Sequence, residues 1–328
     1  MNYPESQLIL EKIKQSNNIM INCHRSPDPD SFGSALAMYE EVLKLGKKVE
    51  IICPSEEFEK LEHLDHFDQI KHINFQEFNF NEFDLLIAID SGSWDQVTDV
   101  PNFIPPIETI VIDHHRSNIG YGSINLIKQE ISSAAEIVFK VLEDWESKIT
   151  ESQANALLTG IIGDTGVFRY PGVTAETLEV AVKLMKLGAD KDKIIFNIYS
   201  NFDERTLQFL GLVLSNLKID EEYKFAWSAV RHEDYKKIEP SQKANSMASS
   251  MFFQNIKNTN FGFVMVETEE GKVDISLRAR TDFDTSKIAV ELGGGGHKAA
   301  SGAEITGKNF DEAVSLVLDT AKKNAKTQ

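Results

Sequence analysis

Short apolar runs recur through the first half of the chain, each followed by a polar or helix-forming stretch. Ile19–Cys23 is the first. After a loop it leads into SFGSALAMYEEVLKLG, whose pattern predicts a helix closed by Gly46. Val49–Cys53, Leu85–Ile89 and Thr109–Ile112 continue the series of strand candidates. Such alternation predicts a largely parallel sheet covered by helices. Ser132–Glu146 predicts another helix, and Thr150-Glu151-Ser152-Gln153 has the form of a capping box opening a helix to roughly Ile162. Residues 174–218 look helical, with breaks at Gly188 and Asp190. A second region starts with the apolar Tyr223–Val230. Phe261–Glu267 and Lys272–Arg278 then flank Thr268–Gly271 as a predicted hairpin. A helix candidate, a glycine-rich loop, a short strand near Ala303–Ile305 and a terminal helix from Asn309 complete it. Residues 55–84, with repeated Phe and acids, show no clear pattern. The expected class is α/β: an N-terminal, mostly parallel sheet flanked by helices, plus a smaller C-terminal α/β domain. The expected divisions are 1–188, a helical linker over 189–219, and 220–328.

Composition narrows the setting. An apolar fraction of 41% suits a globular chain with a sizeable core, and 328 residues fit two domains. No apolar run reaches the length of a membrane span, and the N-terminus lacks the basic start and apolar middle of a secretion signal. Cys23 and Cys53 are the two cysteines, which excludes a disulfide scaffold and points to a reducing cytoplasm. Strand alternation turns Cys23 away from His24, so it reads as a small buried hydrophobe. The formal charge is −17, of which residues 1–219 carry −15. Long nucleic acid is normally held by a basic surface, because phosphate neutralisation dominates affinity. A nucleic-acid substrate here is therefore expected to be short, with no long duplex and no membrane as partner.

Candidate chemistry sits in four clusters: His24, Asp28 and Asp30 in HRSPDPDS, Asp90 in LLIAIDSG, His114 in TIVIDHH, and Asp164 in TGIIGDTG. His24, Asp90 and the triplet Asp113-His114-His115 fall at the carboxyl ends of predicted strands, where open parallel sheets bind ligands. Pro27 and Pro29 restrict the loop that holds Asp28 and Asp30 apart. Asp164 falls at a helix C-terminus, where the dipole disfavours an anion and a cation reverses the penalty. One Asp after a strand is ordinarily a cap or turn residue. Four clusters together supply carboxylates and imidazoles for two divalent ions. Mixed oxygen and nitrogen ligands suit Mn²⁺ best; Mg²⁺ prefers an all-oxygen shell, and Zn²⁺ and Co²⁺ stay open. Two such ions about 3.5–4 Å apart serve phosphoryl hydrolysis. Near the other end, Gly293-Gly294-Gly295-Gly296-His297 lets backbone N–H groups approach an anion. Arg278 and Arg280 lie two apart at a strand end, and guanidinium forks suit phosphate.

In their order, HRSPDPDSFGS, AIDSG, VIDHH, GDTGVFRY, SLRAR and GGGGHKAASG resemble the motifs of the DHH phosphoesterase family across almost the whole chain. The C-terminal motifs resemble the DHH-associated domain of its RecJ-like branch, closest to the compact oligoribonuclease and pAp phosphatase group, the nano-RNases. The resemblance implies one ion on His24, Asp28 and Asp90, and a second on Asp30, Asp90, His114 and Asp164, with Asp90 bridging. It implies that His115 faces the scissile phosphate, with Asp90 and His115 as the catalytic pair. Asp113 is a candidate to orient a ligating imidazole. Arg278, Arg280, Gly294, Gly295, Gly296, His297 and Ser301 are the implied substrate-binding set, and Ala279 departs from a pattern that often has Ser. The implied substrates are short oligonucleotides, cleaved to mononucleotides, and a nucleoside bisphosphate such as pAp. The rivals are a RecJ-like single-strand exonuclease, a pyrophosphatase or exopolyphosphatase, and a non-hydrolytic nucleotide sensor. Whether the chain works as a monomer or a homodimer is left open by the sequence.

Overall fold

The computed structural model describes residues 2–55, 61, 63–170, 172–241, 244–296 and 298–326. The chain divides into two compact units, Met1–Asn201 and Phe202–Gln328.

In the first unit, α1 (Pro4–Gln15) precedes β1 (Asn18–Asn22), α2 (Pro29–Lys44), β2 (Lys48–Cys53), β3 (Ile70–His72) and β4 (Leu85–Ile89). Next come α3 (Trp94–Thr98), β5 (Thr109–Asp113), β6 (Ile124–Ile127), α4 (Ala134–Asp144), α5 (Glu151–Asp164), α6 (Ala175–Lys186) and α7 (Lys191–Tyr199). The six strands form one sheet in the order β3-β2-β1-β4-β5-β6, and every pairing is parallel. All five residues of β4 are fully buried. Each large aliphatic side chain so placed is worth about 1.5–3 kcal/mol relative to exposure. One face of the sheet packs Ile19, Ile21, Leu85, Ile87, Ile110 and Ile112 against α2, α4 and α5. The other packs Met20, Leu86, Ala88 and Val111 against Val97 of α3 and against Phe75 and Phe80. Phe75 and Phe80 of the Phe-rich stretch thus cover that second face, while Leu61, Leu64 and Phe67 join the first core.

Glycines set how closely the helices approach. A methyl on Gly33 of α2 would run into the Ala156 carbonyl of α5. One on Gly160 of α5 would lie 2.6 Å from Asp30 Oδ1 and from the Ala135 Cβ. These positions bring the start of α2 against the end of α5.

The second unit contains α8 (Glu204–Ser215), β7 (Lys218–Asp220), β8 (Phe225–Val230), α9 (His232–Ile238), α10 (Ala244–Met251), β9 (Phe261–Glu269) and β10 (Lys272–Ala279). It ends with α11 (Thr285–Glu291), β11 (Gly295–Gly296), β12 (Ala300–Thr306) and α12 (Phe310–Ala325). Its sheet runs β11-β12-β10-β9-β8-β7, with β8 and β9 parallel and the other pairs antiparallel. The class is α/β.

The stretch expected as a linker over 189–219 is shared between the two units. Ile194 of α7 is buried in the first core, and the Tyr199 hydroxyl donates to the Ile162 and Gly163 carbonyls. Phe209, Leu210 and Val213 of α8 pack against Ala226, Val264 and Val266 of the second. The division falls between residues 201 and 202, because each helix carries an apolar face for its own core. Among the described residues no helix is long and apolar enough to cross a membrane.

Candidate metal centre

Strand order locates the site. In a 3-2-1-4-5-6 sheet the connections from β1 and β4 diverge to opposite sides, and the crevice beyond their carboxyl ends receives the ligand. His24 follows β1, and Asp90 follows β4 directly. His114 and His115 follow β5.

His24 Nδ1 lies 2.8 Å from the Arg25 carbonyl, which only a protonated nitrogen satisfies, so Nε2 carries the lone pair when the ring is neutral. Nε2 stands 3.4 Å from Asp90 Oδ2 and 3.8 Å from Asp28 Oδ1. Asp28 caps α2 by accepting from the backbone N–H groups of Asp30 and Ser31. His114 Nε2 stands 3.4 Å from Asp90 Oδ1, 3.5 Å from Asp164 Oδ2 and 4.0 Å from Asp30 Oδ2. Asp30 is buried between α2 and α4, where its two oxygens accept from the Ala134 and Ala135 N–H groups at 2.6 and 2.9 Å. All six predicted side chains therefore converge. They form two groups of ligand atoms, His24-Asp28-Asp90 and Asp30-His114-Asp164, and Asp90 lies between them.

A third potential grouping, Asp90-Asp113-His114-His115, is chemically different. Asp113 is fully buried, and its oxygens already take N–H donors: the His114 backbone at 2.8 Å, His115 Nδ1 at 2.7 Å and Asn118 Nδ2 at 2.6 Å. Its carboxylate reaches the ring of His115, whereas Asp113 was expected to orient a ligating imidazole. The His114 ring turns instead toward Asp90 and Asp164, and only its backbone meets Asp113.

Two backbone features hold the ends of these elements. Asp90 has φ of 55°, an uncommon left-handed conformation for a non-glycine residue, and its N–H donates to Ile112. After α5, Gly166, Val167 and Phe168 all have φ between 55° and 60°. That short left-handed turn costs a β-branched residue roughly 1–2 kcal/mol. Val167 N–H to Ile162, Phe168 N–H to Thr165 Oγ1 and Tyr170 N–H to Thr165 offset it. Arg169 donates from Nε to the Gly166 carbonyl.

The electrostatics are those of a buried carboxylate cluster packed against imidazoles. Burial raises the Asp30 pKa well above its ordinary value, reinforced by Asp90 and Asp164. Burial likewise raises Asp164 to about 7, against a lowering by His114. Asp90 moves the other way: burial opposes ionisation, but the imidazoles of His114 and His24, each 3.4 Å from one of its oxygens, outweigh it. Burial pulls down both His24 and His114, yet their carboxylate neighbours win, raising His24 well above its usual value and His114 to about 10. The buried carboxylates thus favour added positive charge, whether from protons or from a cation. Asp90 Oδ1 tests the fit to metal: it is buried and has no hydrogen-bond partner among the described residues. An orphaned buried oxygen flanked by two ligand groups is what a bridging carboxylate leaves behind.

In the second unit, Arg278 lies in β10 and donates to Ser276 Oγ and the Leu277 carbonyl. Arg280 follows the strand and donates to the Thr259 carbonyl. Ser301 is buried, with its hydroxyl donating to Thr285 Oγ1 at 2.9 Å. The glycines divide by cause. Gly294 and Gly296 press on β12, where a methyl would meet the Gly302 carbonyl or the Ser301 Cα, and Gly296 has φ of 131°. Gly295 has open space above it. His297 lies outside the described residues.

Sequence reading missed Ser91, Asn118 and Tyr121. The Ser91 carbonyl, one residue past Asp90, accepts from Asn118 Nδ2 and from the Tyr121 hydroxyl. Asn118 three residues after the His pair carried no distinguishing signal, because Asn in a loop is ordinary turn chemistry.

A parallel sheet with carboxylates and imidazoles gathered at its switch point, followed by a mixed-sheet unit, defines a two-domain α/β protein with a candidate metal site. Residues 18–161 match the N-terminal domain of the DHH family, and residues 223–323 match the DHHA1 domain. The chain belongs to the DHH family. It is 26% identical to the bifunctional oligoribonuclease and PAP phosphatase NrnA of Thermus thermophilus over 98% of this chain and 94% of that protein. The probable counterpart of Streptococcus mutans is 27% identical, over 90% and 92%. Among solved structures, an exopolyphosphatase-related protein from Bacteroides fragilis superposes with a TM-score of 0.91 at 28% identity, covering 98% of this chain and 97% of that one.

Proposed function

We propose that this chain is a two-metal phosphoesterase that hydrolyses short oligonucleotides to mononucleotides and pAp to AMP and phosphate. The observation that carries this reading is the buried, orphaned Asp90 Oδ1 between two carboxylate–imidazole groups. His24, Asp28 and Asp90 would hold one ion, and Asp30, Asp90, His114 and Asp164 the other. Mn²⁺ is the proposed ion, since the donor set mixes oxygen with imidazole nitrogen. When bound, such a pair of ions activates water and neutralises charge on the phosphoryl and leaving oxygens.

The chain's own groups do the rest. His24 is held in one tautomer by the Arg25 carbonyl and presents Nε2. Asp113 holds His115 by Nδ1, so the ring atom proposed to meet the phosphoryl group is Nε2. Arg278, Arg280, Gly295, His297 and Ser301 form the proposed phosphate-binding set of the second unit, and Gly294 and Gly296 shape the strand that carries it. The acidic balance of residues 1–219 fits a short substrate better than a long strand. Both cysteines are buried and unbridged, consistent with the cytoplasm as location.

Product analysis with Mn²⁺ on a matched panel tests the reading: an RNA dinucleotide, pAp, inorganic pyrophosphate and a long single-stranded DNA. Mononucleotide from the dinucleotide and AMP from pAp are expected, with little turnover of the other two. Saturable binding without product would overturn hydrolysis in favour of a sensor. Preference for the long strand would favour a RecJ-like exonuclease.

A further inference from the structure

The turn after the His pair does more than connect β5 to β6. Asn118 is 3% exposed, and each polar group of its side chain is engaged. Nδ2 donates to Asp113 Oδ2 at 2.6 Å and to the Ser91 carbonyl at 3.1 Å, while Oδ1 accepts the Gly120 N–H at 2.9 Å. Two acceptors face one end of the amide and a donor the other, which fixes its orientation. The backbone N–H of Asn118 closes the turn onto the His115 carbonyl. The Tyr121 hydroxyl adds a second donor on Ser91 at 2.8 Å.

These bonds join the residue after Asp90, itself in a left-handed conformation, to the carboxylate that grips His115. One amide thus spans the ends of β4 and β5, which deliver Asp90 and His115. We propose that Asn118 is a positioning residue for the phosphoryl-transfer step: through Asp113 it sets the tautomer and plane of the His115 ring, and through Ser91 it holds the Asp90 turn. The proposal rests on the function given above for its effect on turnover, and stands on geometry for its effect on His115. Oxygen in place of Nδ2 would put an acceptor 2.6 Å from Asp113 Oδ2 and remove both donors while keeping the acceptor for Gly120. Residues that orient ligands and catalytic groups in this way typically change activity or metal affinity by about 10–100-fold.

Asn118→Asp is the isosteric test, with Asn118→Ser as the second variant should the first fail to fold. In folded variant with wild-type Mn²⁺ content, kcat on the dinucleotide is expected to fall about 10–100-fold. KM should stay within about twofold, because no substrate contact is removed. Ring-nitrogen chemical shifts of His115, recorded by NMR with Mg²⁺, should show a single Nδ1-protonated form in the wild type and its loss in the variant. Unchanged kcat and an unchanged His115 tautomer would overturn the proposal. So would a rate loss that only tracks lost fold or lost metal, which would make Asn118 structural. If the wild type turns over none of the panel, the functional reading falls, while the tautomer comparison still decides the positioning claim.

Discussion

Replacing Gly160 with alanine sets two effects of opposite sign against each other. Position 160 is interior to α5, so alanine should stabilise the helix by about 1 kcal/mol on propensity alone. The new methyl, however, would sit 2.6 Å from both Asp30 Oδ1 and Ala135 Cβ. Relieving that overlap costs about 1–3 kcal/mol by comparison with other overpacked cores. Pushing Asp30 aside also weakens its bonds to the Ala134 and Ala135 N–H groups, and a buried donor left unsatisfied costs about 1–3 kcal/mol. The net expectation is a loss of about 1–5 kcal/mol, contrary to propensity. Asp30 belongs to the proposed second ion site, so Mn²⁺ affinity should fall about tenfold or more, the equivalent of about 1.4 kcal/mol. Urea unfolding followed by tryptophan emission measures the first quantity. A Trp227→Phe background leaves Trp94 and Trp145 as reporters of the first unit. Calorimetric titration with Mn²⁺ measures the second. A variant as stable as the wild type with unchanged Mn²⁺ affinity would refute the close approach of α5 to Asp30.

Two further outcomes follow from the same geometry. With His24 and His114 raised (His114 to about 10) and Asp164 near 7, the metal-free site at pH 7 carries protons that ligation must expel. Mn²⁺ affinity should therefore strengthen as pH rises from about 6 to 9, with about two or more protons released per chain near neutrality. Titrations in buffers of different ionisation enthalpy count them, and no release would contradict the proposed ligand set. In the second unit, Gly294→Ala should destabilise the β11–β12 pairing because its methyl meets the Gly302 carbonyl, whereas Gly295→Ala should fold normally. Thermal melts of the two variants compare them, and equal stability would refute the distinction.

The parts of the fold legible in the sequence were those whose burial is continuous. β1, β4 and β5 each lie in a central position, so they appear as unbroken apolar runs, and their ends announce His24, Asp90 and His114. The Thr150–Gln153 capping box was legible because it is a local, reciprocal pair of hydrogen bonds. The domain boundary was not, since α7 and α8 are both short amphipathic helices, and sequence does not say which core each face meets. Nor was α10, whose small residues Ala244, Ala248 and Ser249 are buried by close packing without strong hydrophobicity. The Phe-rich stretch reads as irregular because Phe75 and Phe80 cover a sheet face from connecting segments. At the site, the candidate side chains were visible as clusters. The role of Asn118 was not, because it depends on a turn that brings residues 91, 113 and 118 together.

Anomalous scattering at the manganese edge, from crystals grown with Mn²⁺, tests the proposed shared role of Asp90 most directly. Two peaks about 3.5–4 Å apart are expected, each within bonding distance of an Asp90 oxygen, one beside His24 and Asp28 and the other beside Asp30, His114 and Asp164. A single peak, peaks that avoid Asp90, or an ion seated on Asp113 would contradict the proposed centre.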